Sequence, residues 1–531
     1  MRDSDDHLKR VRATLANALK QQRAGQLEDA ERLYEQVLAS RPDHFDALHM
    51  LGAIALQSGR PDRAVQLIRR ALETNPTVAA AHANLALALV QLERFEEAVE
   101  SYGRQIALRP DAVAAYVHLA AILGRLGRFS DALTICDSAL MVHPNMAVAH
   151  VARAVALKDL QRLDAVLEAC NRAIELQPDF AEAWDKRSAA LRDLGRFDEA
   201  FDSIQKAISL KPDFALAHEH AGMMYLQAGD FERGWASYDW RTRPGGSTGA
   251  RIWPQRRWTG AESVSGATVL LHSEQGLGDM IQFCRYATLV EARGAAVIVS
   301  VPTVLRRLMK SLSPSLQVIA DTGPPPPAEW HCPVMSLPLA FATTLHTIPC
   351  AVPYLRAEPE RVEHWRRVIG SGGFKVGICW QGRPAANDIG RSFPLSLFTP
   401  LSRIPGVRLI SLQKGTGGEQ LAAMPPGADV EDLGADFDNG ADAFIDTAAA
   451  MESLDLIITP DTSIAHLAGA LGRPTWVALK QVPDWRWLLG RDESPWYPTH
   501  RLFRQTHRGD WGSVFALMQA SLTRLVASCA A

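Results

Sequence analysis

Two kinds of hydrophobic pattern divide the chain. Over the first 240 residues, small, apolar and helix-breaking positions recur with a single period. Pro42, Pro76, Pro110, Pro144, Pro178 and Pro212 are each separated by 34 residues. Twelve residues before most of these prolines stands a small residue, Ala30, Ala64, Ala98, Ala132 or Ala200, with Val166 in the fifth copy. Gly25, Gly59, Gly127, Gly195 and Gly229 recur five residues before that position. Each copy predicts two helices. The glycine turns the chain, the small residue lets the helices approach, and the proline ends the second helix because its ring cannot continue the hydrogen-bond ladder. From residue 267 the period is gone, and short apolar runs alternate with amphipathic stretches, the pattern of parallel α/β units.

The 34-residue unit resembles the tetratricopeptide repeat. Six clear copies and a looser seventh over 213–240, where Gly234 takes the small position within FERGWASYDW, predict a superhelix with a concave groove over 8–240. Such grooves bind peptide segments, so the repeats are expected to recruit a partner protein; a spacer or dimerisation arm is the other reading. One inward phase reads Ala16, Met50, Asn84, His118, Ala152, Lys186 and His220. It lacks the asparagine ladder of O-GlcNAc transferases, which points to a more specific partner than any peptide backbone.

Residues 241–265 read as a linker. Their first part, RTRPGGSTGARIWPQRRW, holds five arginines and no acid. It is either a basic lip or a solvated segment pinned by Trp253 and Trp258. A first Rossmann-like unit is expected over 266–358, with strands at 267–274, 295–302 and 316–320. The proline-rich run 321–330 is read as loop. A second unit is expected over 372–527, with strands at 375–380, 408–413, 455–460 and 475–479 and helices at 442–453 and 462–471. Ligands of such sheets sit beyond the carboxyl ends of the strands.

Composition narrows the class. A net charge of −3 gives no global field toward nucleic acid or anionic membrane. No uninterrupted apolar stretch reaches the ~18 residues of a membrane-spanning helix, and the charged start MRDSDDHLKR does not read as a signal peptide. Seven cysteines without a CxxC pair predict isolated thiols. Together these features predict a cytoplasmic protein.

Four strand ends carry candidate chemistry. After the first strand comes Glu274-Gln275-Gly276-Leu277-Gly278-Asp279, where Asp279 is either a helix N-cap or a general base. The DLIITP strand runs into Asp461-Thr462-Ser463-Ile464-Ala465-His466. A helix start there offers free amides and a positive dipole end to phosphate; equally, the segment is a cap followed by a core histidine. KVGICW leads to Gln381-Gly382-Arg383 and then to Arg391-Ser392-Phe393-Pro394, and the planar fork of Arg391 suits a diphosphate. RLISLQ leads to Gln413-Lys414-Gly415, polar groups able to read a base or ribose. Asp436-Phe437-Asp438 is a DxD string in a Gly/Asn-rich segment and reads as a surface loop.

The order GLGD, WxG, RSxPL, SLQKG and DTSIAHLAGALGRP resembles glycosyltransferases of the heptosyltransferase type, with the two-domain GT-B fold, over about residues 267–525. Fused to tetratricopeptide repeats, it is similar to bacterial repeat-containing glycosyltransferases, including those that modify flagellin. The resemblance implies Asp279 as catalytic base. It implies a donor pocket using Arg391, Asp461, Thr462, Ser463 and His466, to which the strand-end reading adds Gly276, Gly278, Gln413 and Lys414, with a nucleotide sugar as donor, no cofactor and no metal. Heptosyltransferases usually have lysine where Arg391 stands, and the first α/β unit is short, so no acceptor residues are carried over. The expected acceptor is a protein held by the repeats, such as flagellin; a polysaccharide or lipid-linked glycan is the rival. A repeat scaffold with a degenerate transferase region is the non-enzymatic alternative. Dinucleotide redox chemistry fits poorly, because GLGD lacks the full GxGxxG pattern.

Overall fold

A computed structural model describes residues 2–249, 251–383, 390–425 and 427–530, with side chains from residue 7 to 529. The chain forms two compact units, Met1–Leu191 and Arg192–Ala531.

The first unit is a tetratricopeptide array of antiparallel helix pairs, beginning with Arg2–Arg23 and Leu27–Ser40 and continuing through Phe45–Gln57 with Pro61–Thr74, Ala79–Gln91 with Phe95–Leu108, Val113–Arg125 with Phe129–Val142, and Ala147–Asp159 with Leu163–Leu176. The small positions Ala30, Ala64, Ala98, Ala132 and Val166 are buried between paired helices. Gly25, Gly59 and Gly127 have φ of +77°, +67° and +73°, a left-handed conformation in which a Cβ is strained. In the two copies without glycine, Glu93 (φ +57°) and Gln161 (φ +60°) adopt the same conformation. The turn is therefore dictated by the packing of the helices, with or without glycine.

The second unit opens with further repeat helices, Phe197–Leu210, Ala215–Gln227 and Phe231–Tyr238. The last pair docks tightly. A Cβ on Gly234 would lie 2.6 Å from Leu226 Cδ2, and one on Gly222 would lie 2.3 Å from the Tyr238 nitrogen. Phe231, Trp235 and Tyr238 belong to the same core as the α/β residues.

Two all-parallel sheets follow. The first uses β1 (Arg256–Arg257), β2 (Thr268–His272), β3 (Ala296–Val301), β4 (Gln317–Ala320) and β5 (Trp330–Pro333) in the order β1-β5-β2-β3-β4. The second uses β6 (Phe374–Ile378), β7 (Val407–Ser411), β8 (Val430–Glu431), β9 (Leu456–Pro460), β10 (Thr475–Leu479) and β11 (His500–Arg504) in the order β11-β10-β9-β6-β7-β8. In each sheet the chain moves outward from one central strand and then returns to its other side. The switch points lie between β2 and β5 and between β6 and β9, where crevices form at the carboxyl ends of strands.

Several expectations need correction. The segment expected as a linker supplies β1, which pairs with β5 in register Arg256–Trp330. Its arginines are not a basic lip throughout. Arg241 is 1% exposed and paired with Glu274, and Arg257 is paired with Asp239. Trp258 is buried, and Trp253 stacks on His272 at 4.0 Å. The proline-rich run ends by entering β5, and β8 and β11 extend the second sheet beyond the four strands expected. Among the described residues, no helix is long and apolar enough to cross a membrane.

Candidate functional site

The glycine-rich turn after β2 starts its helix earlier than expected, at Leu277, with Gly276 as N-cap. Asp279 is therefore the third helical residue and not the cap itself. It reaches back, so that the Gly276 amide donates to its Oδ2 at 2.8 Å. The other oxygen, Oδ1, is ion-paired with Arg486 Nη2. Burial pushes the Asp279 carboxyl above the usual range, while Arg486 pulls it down. A half-buried carboxylate held by one backbone amide and one guanidinium can accept a proton.

The second motif comes from the other sheet. β9 ends at Pro460, and the helix Ser463–Ala470 begins after Asp461 and Thr462, with Thr462 as N-cap. Thr462 Oγ1 lies 3.1 Å from Thr459 Oγ1. Asp461 is raised to about 6 by burial and by Asp484, against the opposing fields of Arg391 and Arg486. Its position at the β6/β9 switch point, next to a helix N-terminus and two guanidinium groups, is where an anionic ligand of this sheet would sit.

The two motifs, far apart in sequence, pack face to face. A Cβ on Gly278 would lie 2.9 Å from His466 Cδ2 and 3.4 Å from the Ser463 Cα, so glycine is required for this approach. Gly278 thus serves the contact between the two helices. His466 is buried, its Nδ1 is 3.0 Å from the Tyr497 hydroxyl, and its ring stacks on Trp487. Burial, reinforced by Arg486, holds it well below the ordinary histidine range and hence neutral. A neutral, hydrogen-bonded, stacked imidazole holds the helix start in place and is not a cation for phosphate.

The residues after β7 behave differently from expectation. Gln413 Oε1 accepts from the Trp380 and Gln381 amides at 3.1 and 3.0 Å, and its Nε2 donates to the Gln381 and Thr416 carbonyls at 2.9 Å each. Its amide is spent tying the loop after β6 to the loop after β7, which leaves it no group for reading a base. Lys414 Nζ donates to the Phe437 carbonyl. The DxD string lies in a largely exposed turn, as expected, with one residue tucked inward. Phe437 is buried against Trp365, and Asp438 Oδ1 accepts from the Asp446 amide at 2.8 Å at the start of the helix Ile445–Met451. Among the described residues, no three His, Cys, Asp or Glu side chains gather as a metal site.

Arg486 was missed by sequence reasoning. It lies in Asp484-Trp485-Arg486-Trp487, between β10 and β11, and its partner Asp279 is 207 residues away. Asp484 Oδ1 accepts from Arg486 Nη1 at 2.8 Å, and Gln282 Oε1 accepts from its Nε at 2.7 Å. The one available signal was an arginine flanked by tryptophans and preceded by an aspartate in a segment without secondary-structure pattern. Lys480, just past β10, is also drawn toward this group; burial lowers its ammonium, while Asp193, Asp461 and Asp484 oppose that. A second recess, about 430 Å³ and open to solvent, lies at the ends of β2, β3 and β4 and includes Trp253, His272, Ser273, Ser300 and Asp321. His272 Nε2 is 3.2 Å from His331 Nδ1, and burial lowers the two rings to about 3 and about 4.

Comparison with known proteins agrees with the repeat architecture. Tetratricopeptide repeat profiles match residues 15–79, 55–123 and 181–214. The chain is 28% identical over 332 residues to Protein FlbA of Caulobacter vibrioides, an alignment covering 57% of this chain and 54% of that protein. The chain thus spans about half the length of this curated relative. Among solved structures, it is similar to a tetratricopeptide repeat protein from Parabacteroides merdae, with 18% identity, a TM-score of 0.39, and coverage of 43% of this chain and 91% of that one. It is also similar to YrrB, described as a TPR protein with an unusual peptide-binding site, with 19% identity, a TM-score of 0.30, and coverage of 35% and 95%. The amino-terminal part of the chain is therefore built of tetratricopeptide repeats and is followed by a parallel α/β region.

Proposed function

We infer that the chain is a GT-B glycosyltransferase that moves a sugar from a nucleotide-sugar donor to a hydroxyl of an acceptor protein recruited by its repeats, flagellin being the acceptor the family resemblance suggests. The observation that carries this reading is the meeting of the GLGD turn and the DTS-His helix, one from each sheet, with Gly278 against His466 and with Asp279 and Asp461 sharing the fields of Arg486 and Asp484. In this scheme the donor diphosphate rests on the helix start at Thr462 and Ser463 and beside Arg391. As the glycosidic bond breaks, negative charge grows on the leaving nucleotide, and these fixed donors stabilise it. Asp279 takes the proton of the acceptor hydroxyl as its oxygen attacks the sugar carbon. Arg391 and the helix dipole supply the positive charge, so the scheme uses no metal and no cofactor. Gln413 and Lys414 act by holding the donor-side loops in place.

The test is thermal denaturation with UDP, GDP, ADP and CMP and their sugars. A nucleotide at about 100 times its Kd adds roughly 2.7 kcal/mol to the unit that binds it. The reading expects a shift with one of them that Arg391→Ala abolishes. It further expects Asp279→Ala to keep that shift and lose transfer. No shift with any nucleotide or nucleotide sugar favours the scaffold reading, for which the internal engagement of Gln413 and Lys414 is the supporting observation.

A further inference from the structure

The last repeat does more than end the array. Its helices Ala215–Gln227 and Phe231–Tyr238 run into a short turn, Asp239–Thr242, and from there the chain grips both halves of the candidate site. On the first-sheet side, Gln275 of the glycine-rich turn donates its Nε2 to the Tyr238 hydroxyl at 3.2 Å. The next residue toward β2, Glu274, accepts from Arg241 Nη2 at 2.5 Å, and Arg241 also donates to Ser336 Oγ at 2.8 Å. On the second-sheet side, Gln227 Nε2 donates to the Pro483 carbonyl at 2.7 Å, a buried bond. Trp235 meets Trp485 edge to face at 5.3 Å, and Tyr238 lies 5.8 Å from the same ring. Trp485 in turn carries the Arg486 guanidinium 4.2 Å above its ring.

The two gripped segments are the ones that meet at Asp279 and Arg486. The glycine-rich turn fixes the Asp279 backbone, and the segment 483–487 fixes Arg486. A repeat that merely closed an array would present a polar outer face. Here Phe231, Trp235 and Tyr238 are all buried in the α/β core; Trp235 Nε1 donates to the Thr343 carbonyl at 2.9 Å, while Gln227 and the Tyr238 hydroxyl reach the two segments named. We propose that Gln227, Trp235 and Tyr238 are positioning residues for the candidate base: the last repeat is a splint that keeps Arg486 on Asp279. This rests on the transferase reading for its catalytic meaning, but the splint itself is a property of the fold. Its chemical consequence follows from the two opposing influences on Asp279. If Arg486 is released, burial acts on the carboxyl with less opposition, and less of it is ionised at a given pH.

The experiment uses the full chain carrying Gln227→Ala or Tyr238→Phe, the second removing a single oxygen. Backbone hydrogen exchange is followed by mass spectrometry. The splint expects exchange at least about tenfold faster in 276–283 and 484–488, with 27–176 unchanged. Turnover of the nucleotide sugar that stabilises the wild-type chain is then measured against pH. The expected result is a lower kcat, an unchanged KM for the donor, and an acid limb moved to higher pH. Unchanged exchange in both segments overturns the proposal, as does acceleration spread evenly over 192–531 with an unmoved acid limb. If the wild-type chain turns over no nucleotide sugar, the transferase reading fails, and the exchange measurement still decides the splint.

Discussion

At the scale of single residues, glycines and their absences are the most informative positions. Gly278→Ala would place a Cβ 2.9 Å from a His466 ring that is fixed by Tyr497 and Trp487, so the ring has little freedom to yield. Overpacking of this kind costs about 1–3 kcal/mol. The expected outcome is a lower melting temperature of the second unit together with loss of the nucleotide-induced shift. Glu93 poses the reverse case, an exposed residue held at φ +57° where other copies of the repeat have glycine. Glu93→Gly relieves a left-handed strain of about 1–2 kcal/mol and gives part of it back in chain entropy. A net gain of about 0.5–1 kcal/mol in urea denaturation is expected. Asp461 is a residue whose carboxyl is raised toward the physiological range. Its folded carboxyl titrates near 6 because of burial and Asp484, above its ordinary 3.8. The folded state therefore binds more protons between those values. The stability Asp461 contributes is fully present below about pH 4 and is lost as pH rises through about 6. The same ionisation opposes an anionic ligand seated on the adjacent helix start, because like charges repel. Nucleotide affinity should fall on raising the pH from 5 to 7, and Asp461→Asn should flatten that profile in calorimetric titrations.

At the scale of elements, the repeats contain a staple that their spacing did not announce. Six residues after each of five period prolines, a ring donates to that proline's carbonyl. His82, His150 and His218 do so through Nε2 at 2.9 Å, Tyr116 through its hydroxyl at 3.1 Å, and Trp184 through Nε1 at 3.0 Å. The carbonyl only accepts, so the histidines carry their proton on Nε2 here. Three different residue types fill the role, which is why a reading based on residue identity passes over it. Tyr116→Phe removes one such bond and nothing else; a loss of about 1 kcal/mol in the unfolding of the first unit is expected. The strands show the same division between what pattern reveals and what it hides. β2, β3, β4, β6, β7, β9 and β10 are largely apolar runs and were legible. β1 and β8 are two residues long, β5 follows four prolines, and β11 mixes basic and apolar residues without a period as His500-Arg501-Leu502-Phe503-Arg504. Pairing geometry, not side-chain preference, makes these segments strands. The candidate site divides likewise. Asp279 and Asp461 stood at recognisable strand ends, while Arg486 became part of the site only through a long-range contact.

At the scale of the whole molecule, the period of the sequence and the compactness of the fold disagree about where one part ends. The 34-residue period runs to about residue 240, whereas the second compact unit begins at Arg192 and takes the last repeats into the α/β region. The reason lies in the seventh copy, whose Phe231, Trp235 and Tyr238 stand at the apolar positions of Phe197, Phe201 and Ile204 one period earlier but share a core with Phe283, Trp485 and Trp496. Burying one large aromatic or aliphatic side chain is worth about 1.5–3 kcal/mol, so three of them supply about 5–9 kcal/mol. The whole stability of a domain is only about 5–15 kcal/mol. A fragment cut at the end of the sequence period therefore loses most of what keeps it folded, and it exposes the tryptophans around Arg486. Expression of residues 192–531 should give a monodisperse protein with one cooperative melting transition. Residues 241–531 should aggregate or melt without cooperativity. Calorimetry of the two fragments checks this directly. A cooperative, nucleotide-responsive 241–531 fragment would show that the α/β region stands alone and that the last repeat is only attached to it.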